Sequence, residues 1–209
     1  MIRYLYASEL EAHADLAADM FRDRTTQFRD RLGWDVSVDA LGWETDAYDG
    51  IDPLYVIVTD GAGGHAGSMR FLPTTGPNML AEVFPHLIGG GSIRSPRIWE
   101  CTRFCLSPTA GGDVARRLLL AASELGLGMG LDHAVGVFDR AMVRVYRRLG
   151  WQPEVLGTED GISAGLWTFG PATHDALLAA CDIDAATSRG WFEAAFGDLP
   201  LPLPLPQGA

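Results

Sequence analysis

Apolar residues gather in short runs at 2–6, 54–59, 65–72, 98–106 and 133–137, and each run has the length and the β-branched or aromatic content of a strand. Between the second and third runs lies DGAGG (60–64), a turn-rich stretch that predicts a hairpin. Helical spacing takes over elsewhere. Residues 12–31 mix apolar and charged positions at helical intervals and put Arg24 and Phe28 four apart, on one face. Over 113–125, Val114, Leu118, Ala121, Ala122 and Leu125 share a side. Over 139–149, Met142, Val145, Tyr146 and Leu149 predict a buried stripe, with Arg140, Arg144, Arg147 and Arg148 on the opposite face. A short helical piece at 79–84, strands near Val155 and at 162–169, and helices at 173–180 and 185–196 complete the pattern. From 33 to 53, glycine, aspartate and aromatic residues break every period, which predicts a long ordered loop of the kind that often carries function.

Strands and helices alternate irregularly around one hairpin, so the sheet is expected to be mixed with helices on both faces, a three-layer α-β-α sandwich. The 209 residues, 47% of them hydrophobic, suffice for one core but are short for two. A single domain over 1–197 is expected, followed by a proline-rich tail, 198–209, that is extended and mobile.

The formal charge of -11 argues against a nucleic-acid binder, because phosphate recognition needs a basic face. All sixteen basic residues are Arg, which removes lysine Schiff-base chemistry and favours bidentate pairing with carboxylates or phosphates. Cys101, Cys105 and Cys181 lack zinc spacing, and the five histidines, His13, His65, His86, His133 and His174, are dispersed; no metal is expected. Cys105 has no positioned His and reads as a small buried residue rather than a nucleophile. Nothing in the chain reads as a secretory signal or membrane span, so a cytoplasmic, membrane-free location is the expectation.

Several blocks stand out together: MFRDRTTQFRDRLGWDVSVD, ETDAYD, GSMRFLPTTGPNMLAEVFPHL and SPRIWECTRFCLSP. In this order and spacing they resemble the acyl-homoserine lactone synthases over roughly the first half of the chain. The later half is similar in pattern more than in residues. The resemblance implies a fold similar to the GCN5-related acyltransferases, with a V-split sheet whose cleft holds a pantetheine arm. It implies acyl transfer from an acyl-carrier-protein or acyl-CoA thioester to the amine of S-adenosylmethionine, then lactone closure with release of methylthioadenosine. S-adenosylmethionine is then a consumed substrate and no cofactor is needed; the product is a quorum-sensing signal that acts on a separate receptor. By the same resemblance Arg24, Phe28 and Trp34 form one part of the acceptor site, Asp46 and Asp49 its acidic loop, and Arg70, Glu100 and Arg103 its floor, with Glu100 and Arg103 catalytic.

The residue types fit that ligand on physical grounds. A sulfonium and an amine call for acids and aromatic faces, and a carboxylate calls for Arg. Asp46, Asp49 and Glu100 balance Arg24, Arg70 and Arg103 in charge, as a closed buried network requires. Glu100 is the candidate general base. Glu100 and Arg103 are three apart, so a regular strand would point them to opposite faces, and a bulge is needed to unite them. The Gly111-Gly112 break before a helix is the candidate donor site. Met79, Phe104, Leu118, Gly136 and Met142 are candidates for the acyl-chain pocket. In some members of the family a Thr associated with 3-oxo chains stands where Gly136 aligns, which points here to chains without a 3-oxo group. Arg116, Arg117, Arg144, Arg147 and Arg148 are the candidate docking patch for an acidic carrier. Two rival readings remain: a GCN5-like N-acetyltransferase, whose Q/R-x-x-G-x-G/A loop LSPTAGGDVARRLL matches only loosely, and a non-catalytic module that binds acyl carriers or adenosyl ligands.

Overall fold

A computed structural model describes residues 1–197, and the tail expected at 198–209 lies outside the described residues. Seven strands, β1 (Ile2–Tyr6), β2 (Leu54–Thr59), β3 (His65–Pro73), β4 (Ile98–Leu106), β5 (His133–Asp139), β6 (Glu154–Glu159) and β7 (Ile162–Thr168), form one sheet in the order β1-β2-β3-β4-β5-β7-β6. Neighbouring strands run antiparallel except β4 and β5, which are parallel, so the sheet is mixed.

Helix α1 (Ala14–Arg24) and the short α2 (Met79–Glu82) cover one face; α3 (Val114–Gly128), α5 (Pro171–Cys181) and α6 (Ala185–Phe196) cover the other, and α4 (Met142–Leu149) packs beside β5 and α3. The result is a three-layer α-β-α sandwich. Strand alternation divides the core: along the wholly buried β2, Leu54, Val56 and Val58 join the cluster under α3, while Tyr55 and Ile57 join Leu16, Met20 and Phe21 under α1. Leu118, Leu120 and Leu125 of α3 are fully buried, so truncating any one to Ala should cost about 2–5 kcal/mol.

Two local readings of the sequence need correction. The segment 12–31 is not one helix: a 3₁₀ stretch (Ala7–His13) leads into α1, which passes into a π-helical turn at Thr25–Arg31. The widened turn carries Phe28 and ends where the loop to Pro53 begins. On α4, Val145 is exposed and Val143 packs inward with Met142, Tyr146 and Leu149. That helix starts at Met142 rather than 139, after a turn at Arg140 and Ala141.

Two features of the sheet prepare the site. β4 and β5 pair only through Ile98–Glu100 and His133–Val135, although β4 runs on to Leu106, so the strands part beyond Glu100. On β4, Thr102 pairs with Arg70 but Cys105 with Ser68, so one extra residue is accommodated there. Arg103 is that position, with φ of 53°, the left-handed conformation that marks a bulge. The α1 end is fixed to β3 by a buried contact in which the His65 ring lies 2.6 Å from Asp23 Oδ2 and 3.0 Å from Ser68 Oγ.

Candidate active site

The bulge at Arg103 brings its guanidinium to the same side of the sheet as Arg70 and Thr102, where the loop 33–53 crosses. Six side chains there close a ring of alternating charge. Arg24 donates from Nε to Glu44 Oε2 at 2.6 Å and from both Nη atoms to Asp49 at 3.0 Å. Arg103 donates from Nη2 to Glu44 Oε1 at 2.9 Å and lies 2.8 Å from Asp46 Oδ2. Arg70 grips Asp46 with both Nη atoms, reaches Asp49 Oδ1 at 2.7 Å and donates from Nε to Thr102 Oγ1 at 3.0 Å. Read round, the order is Arg24, Glu44, Arg103, Asp46, Arg70, Asp49 and back to Arg24.

The loop is folded to suit this ring. Asp46 caps the 3₁₀ turn Ala47–Ile51 by accepting from the Tyr48 N–H, and Asp49 accepts from the Asp46 N–H at 2.8 Å. Tyr55 donates its hydroxyl to Asp49 Oδ1 at 2.6 Å. Arg24, Glu44 and Arg70 are at most 1% exposed, and Asp46, at 19%, is where the ring meets solvent. Removing such charges from water is tolerable only with full pairing. Burial would raise the Asp49 carboxyl, but Arg24, Arg70 and the Tyr55 hydroxyl overrule it and hold the group well below the usual carboxylate range. Burial would likewise lower the Arg24 guanidinium; Asp49 and Glu44 raise it above its ordinary value.

Glu100 lies beside the ring without joining it. It is fully buried and accepts from the backbone N–H groups of Met79 (2.9 Å) and Leu80 (2.6 Å) at the start of α2. Burial pushes its carboxyl up, and these two N–H groups and Arg70 offset that only in part. The expected balance of Asp46, Asp49 and Glu100 against three Arg is therefore corrected: Glu44 is the third acid of the ring. Glu44 stands in the ETDAYD block, but a lone carboxylate in an aperiodic loop carries no pattern that assigns it a partner. Thr102 and Tyr55 were missed for a related reason, since their strands read simply as core.

Above the ring, Trp34 stacks on Phe28 at 5.1 Å and 8°, and the Arg103 guanidinium lies 5.5 Å over the Phe28 ring. Phe28 is buried, but Trp34 is 40% exposed and leaves an indole surface open. The structure thus brings together Arg24, Phe28, Trp34, Asp46, Asp49, Arg70 and Arg103, with Glu100 adjoining.

Where β4 and β5 part, a cavity of about 60 Å³ opens between the strands, lined by Phe104 and Gly136 and reaching Thr102 and Arg103. Of the expected acyl-pocket residues, Met79, Leu118 and Met142 do not line it. Leu118 is turned into the core beneath the sheet, Met142 packs on the outer side of that core, and Met79 sits at the start of α2, where its N–H meets Glu100. Met69, Phe71, Cys101, Tyr146, Trp151 and Trp167 are among the residues that line it instead. Burial pushes the thiols of Cys101 and Cys105 up to about 12, so neither is a ready nucleophile.

The expected docking arginines divide. Arg144, Arg147 and Arg148 are exposed on α4. Arg117 lies 2.7 Å from Asp113 and Arg116 donates to the Ala180 carbonyl at 3.3 Å, so both also make helix-end contacts. Gly111 and Gly112 precede α3 as expected, and the helix N-cap, Asp113, makes no side-chain capping bond. Among the described residues, no group of His, Cys, Asp or Glu could hold a metal ion, and no helix is long and apolar enough to cross a membrane.

Comparison with known proteins adds a separate line of evidence. The family model described as autoinducer synthase matches residues 7–167. An acyl-homoserine-lactone synthase of Rhizobium etli is 44% identical, over 80% of this chain and 84% of the relative. The solved structure of the CoA-dependent acyl-homoserine lactone synthase BjaI, with S-adenosylmethionine and isopentyl-CoA, superposes with a TM-score of 0.79 at 26% identity, covering 88% of this chain and 90% of that one. A Lactobacillus plantarum protein described as an N-acetyltransferase shares the fold alone, with a TM-score of 0.52 at 16% identity over 80% of this chain and 97% of its own.

Proposed function

The chain belongs to the autoinducer synthase family, and from that premise we infer how its charged ring and parted strands divide the work of making an acyl-homoserine lactone. The reaction is an acyl transfer from a thioester to the amine of S-adenosylmethionine, followed by lactone closure with loss of methylthioadenosine. The observation that carries the assignment of residues is the closed ring of three arginines and three acids lying beside both a buried carboxylate and the strand cleft.

The ring itself is neutral, so an ionised Glu100 leaves the neighbourhood at about one negative charge. S-adenosylmethionine, with a sulfonium, an ammonium and a carboxylate, carries one positive charge. In our reading it lies between Trp34, whose indole faces the cation, and the open Asp46 edge of the ring, with its carboxylate toward Arg103. Glu100 takes a proton from the ammonium group, directly or through one water; its raised proton affinity supports that role. The freed amine adds to the thioester carbonyl, the C–N bond forms, the C–S bond breaks and the thiol leaves with a proton. A methionyl carboxylate oxygen then displaces the sulfonium, closing the five-membered lactone and releasing a neutral thioether. The second step asks little of the protein beyond holding the chain curled.

The donor thioester enters at the cleft between β4 and β5, whose edges have backbone groups free of mutual pairing beyond Glu100. Arg144, Arg147 and Arg148 form a basic face on α4 suited to an acidic carrier protein or to the phosphates of coenzyme A. Incubation of purified protein with S-adenosylmethionine and donors of both kinds should yield methylthioadenosine and acyl lactone by mass spectrometry in equal amounts. Binding of both substrates without either product would overturn the reading.

A further inference from the structure

The cavity between β4 and β5 has one polar end and one aromatic end. At the polar end lie Thr102 and Arg103, both tied into the charged ring. At the other stand Phe138, Tyr146, Trp151 and Trp167, each at most 7% exposed. Phe138, Tyr146 and Trp167 meet one another edge-on at 5.1 to 5.4 Å. The Trp167 indole is further held by a hydrogen bond of 3.3 Å from Nε1 to the Trp151 carbonyl. No one ring can swing aside without losing contacts on the other two, so this end does not re-pack as a wall of Met or Leu would.

Glycines make room for the wall. A Cβ at Gly165 of β7 would come within 2.8 Å of the Phe138 ring, and one at Gly136 of β5 within 2.8 Å of the Cys101 carbonyl oxygen. These positions let bulky rings and the edge of β4 come close to the cavity and narrow it. The volume is about 60 Å³, against roughly 300–1,000 Å³ for pockets that take whole drug-sized ligands. Only a short chain therefore fits without moving the wall.

We propose that this aromatic wall restricts the enzyme to short acyl donors. The proposal rests on the acyl transfer described above. With the carbonyl beside Thr102 and Arg103, within reach of the attacking amine, such a chain ends against Trp167 and Tyr146. A chain of twelve carbons would have to displace the interlocked rings.

The test is a set of butanoyl, hexanoyl, octanoyl and dodecanoyl thioesters, each presented on coenzyme A and on acyl carrier protein, with methylthioadenosine release as the readout. The expected result is a kcat/KM for butanoyl or hexanoyl donors at least about a hundredfold above that for dodecanoyl on the same carrier, since even one surplus methylene in a hydrophobic pocket costs about tenfold or more. Octanoyl or dodecanoyl donors turned over as well as the short ones would overturn the proposal while leaving the acyl transfer intact. No product from any donor would instead overturn the acyl transfer itself. Trp167→Leu should raise the octanoyl-to-butanoyl ratio at least about tenfold with the KM for S-adenosylmethionine unchanged. Trp151→Leu serves the same purpose should the first variant not fold, and an unmoved ratio in a folded variant removes the wall as the cause.

Discussion

Glu44 is the residue on which the charged ring closes, and replacing it with Gln changes one atom and one charge. Its carboxylate is fully buried and takes Arg24 Nε on one oxygen and Arg103 on the other. The amide keeps a single accepting oxygen and turns an NH₂ group toward the second guanidinium, donor against donor. Removing one partner from a buried ion pair typically costs about 3–5 kcal/mol; with half the hydrogen bonding retained, about 2–4 kcal/mol is expected here. At about 2–4 °C per kcal/mol for a chain of this size, the thermal midpoint should fall by about 4 to 16 °C. A control sits on α1: Arg22 and Asp19 are 3.9 Å apart and half exposed, and Asp19→Asn should shift the midpoint by about 1 °C or less, as surface pairs do. The variant also leaves the ring with a net positive charge beside the site for a cation, so S-adenosylmethionine should bind about tenfold more weakly by calorimetric titration. Melting within about 2 °C of the unaltered protein, together with unaltered affinity, would refute the closed ring as the organiser of the site.

Glu100→Gln should lower kcat by about a hundredfold or more while changing the dissociation constant for S-adenosylmethionine by less than about threefold. Because burial raises the Glu100 pKa, the unaltered enzyme should lose activity as pH falls through that raised value, and the variant should lose this acid limb; an unchanged pH profile argues for another base. Trp34→Ala should weaken S-adenosylmethionine binding by about tenfold with little change in melting, since the indole is 40% exposed; equal binding would remove Trp34 from the site. The Asp49 pKa is lowered in the folded chain, so its contribution to stability is complete above the ordinary carboxylate pKa of about 4 and is lost as pH falls below it. Asp49→Asn should therefore destabilise the protein at pH 7 and flatten the loss of stability between about pH 4 and pH 2; a parallel acid-unfolding curve would contradict this.

Much of the scaffold is local and so was legible along the chain. The apolar runs at 54–59 and 65–72 with DGAGG between them specify a hairpin, because strand propensity and turn chemistry involve only near neighbours. The same holds for the α3 stripe at Val114, Leu118, Ala121, Ala122 and Leu125, every member of which is buried. The shortfalls lie where local periodicity meets a tertiary constraint. A π-helical turn breaks the segment 12–31, and on α4 the later start and the contacts actually available put Val143, not Val145, against the core.

The sequence alone therefore determined the elements, the layered arrangement and the family, because propensity, period and aligned blocks are properties of residues in order. It also supplied the charges that needed one another. Only the tertiary structure decided their partners: the bulge that turns Arg103 to the side of Arg70, the placing of Glu44 between two arginines, and the diversion of Glu100 to the N–H groups of α2. Those choices join residues 20 to 59 positions apart. Coulomb attraction and desolvation act through space, so no spacing along the chain could have chosen among the carboxylates on offer.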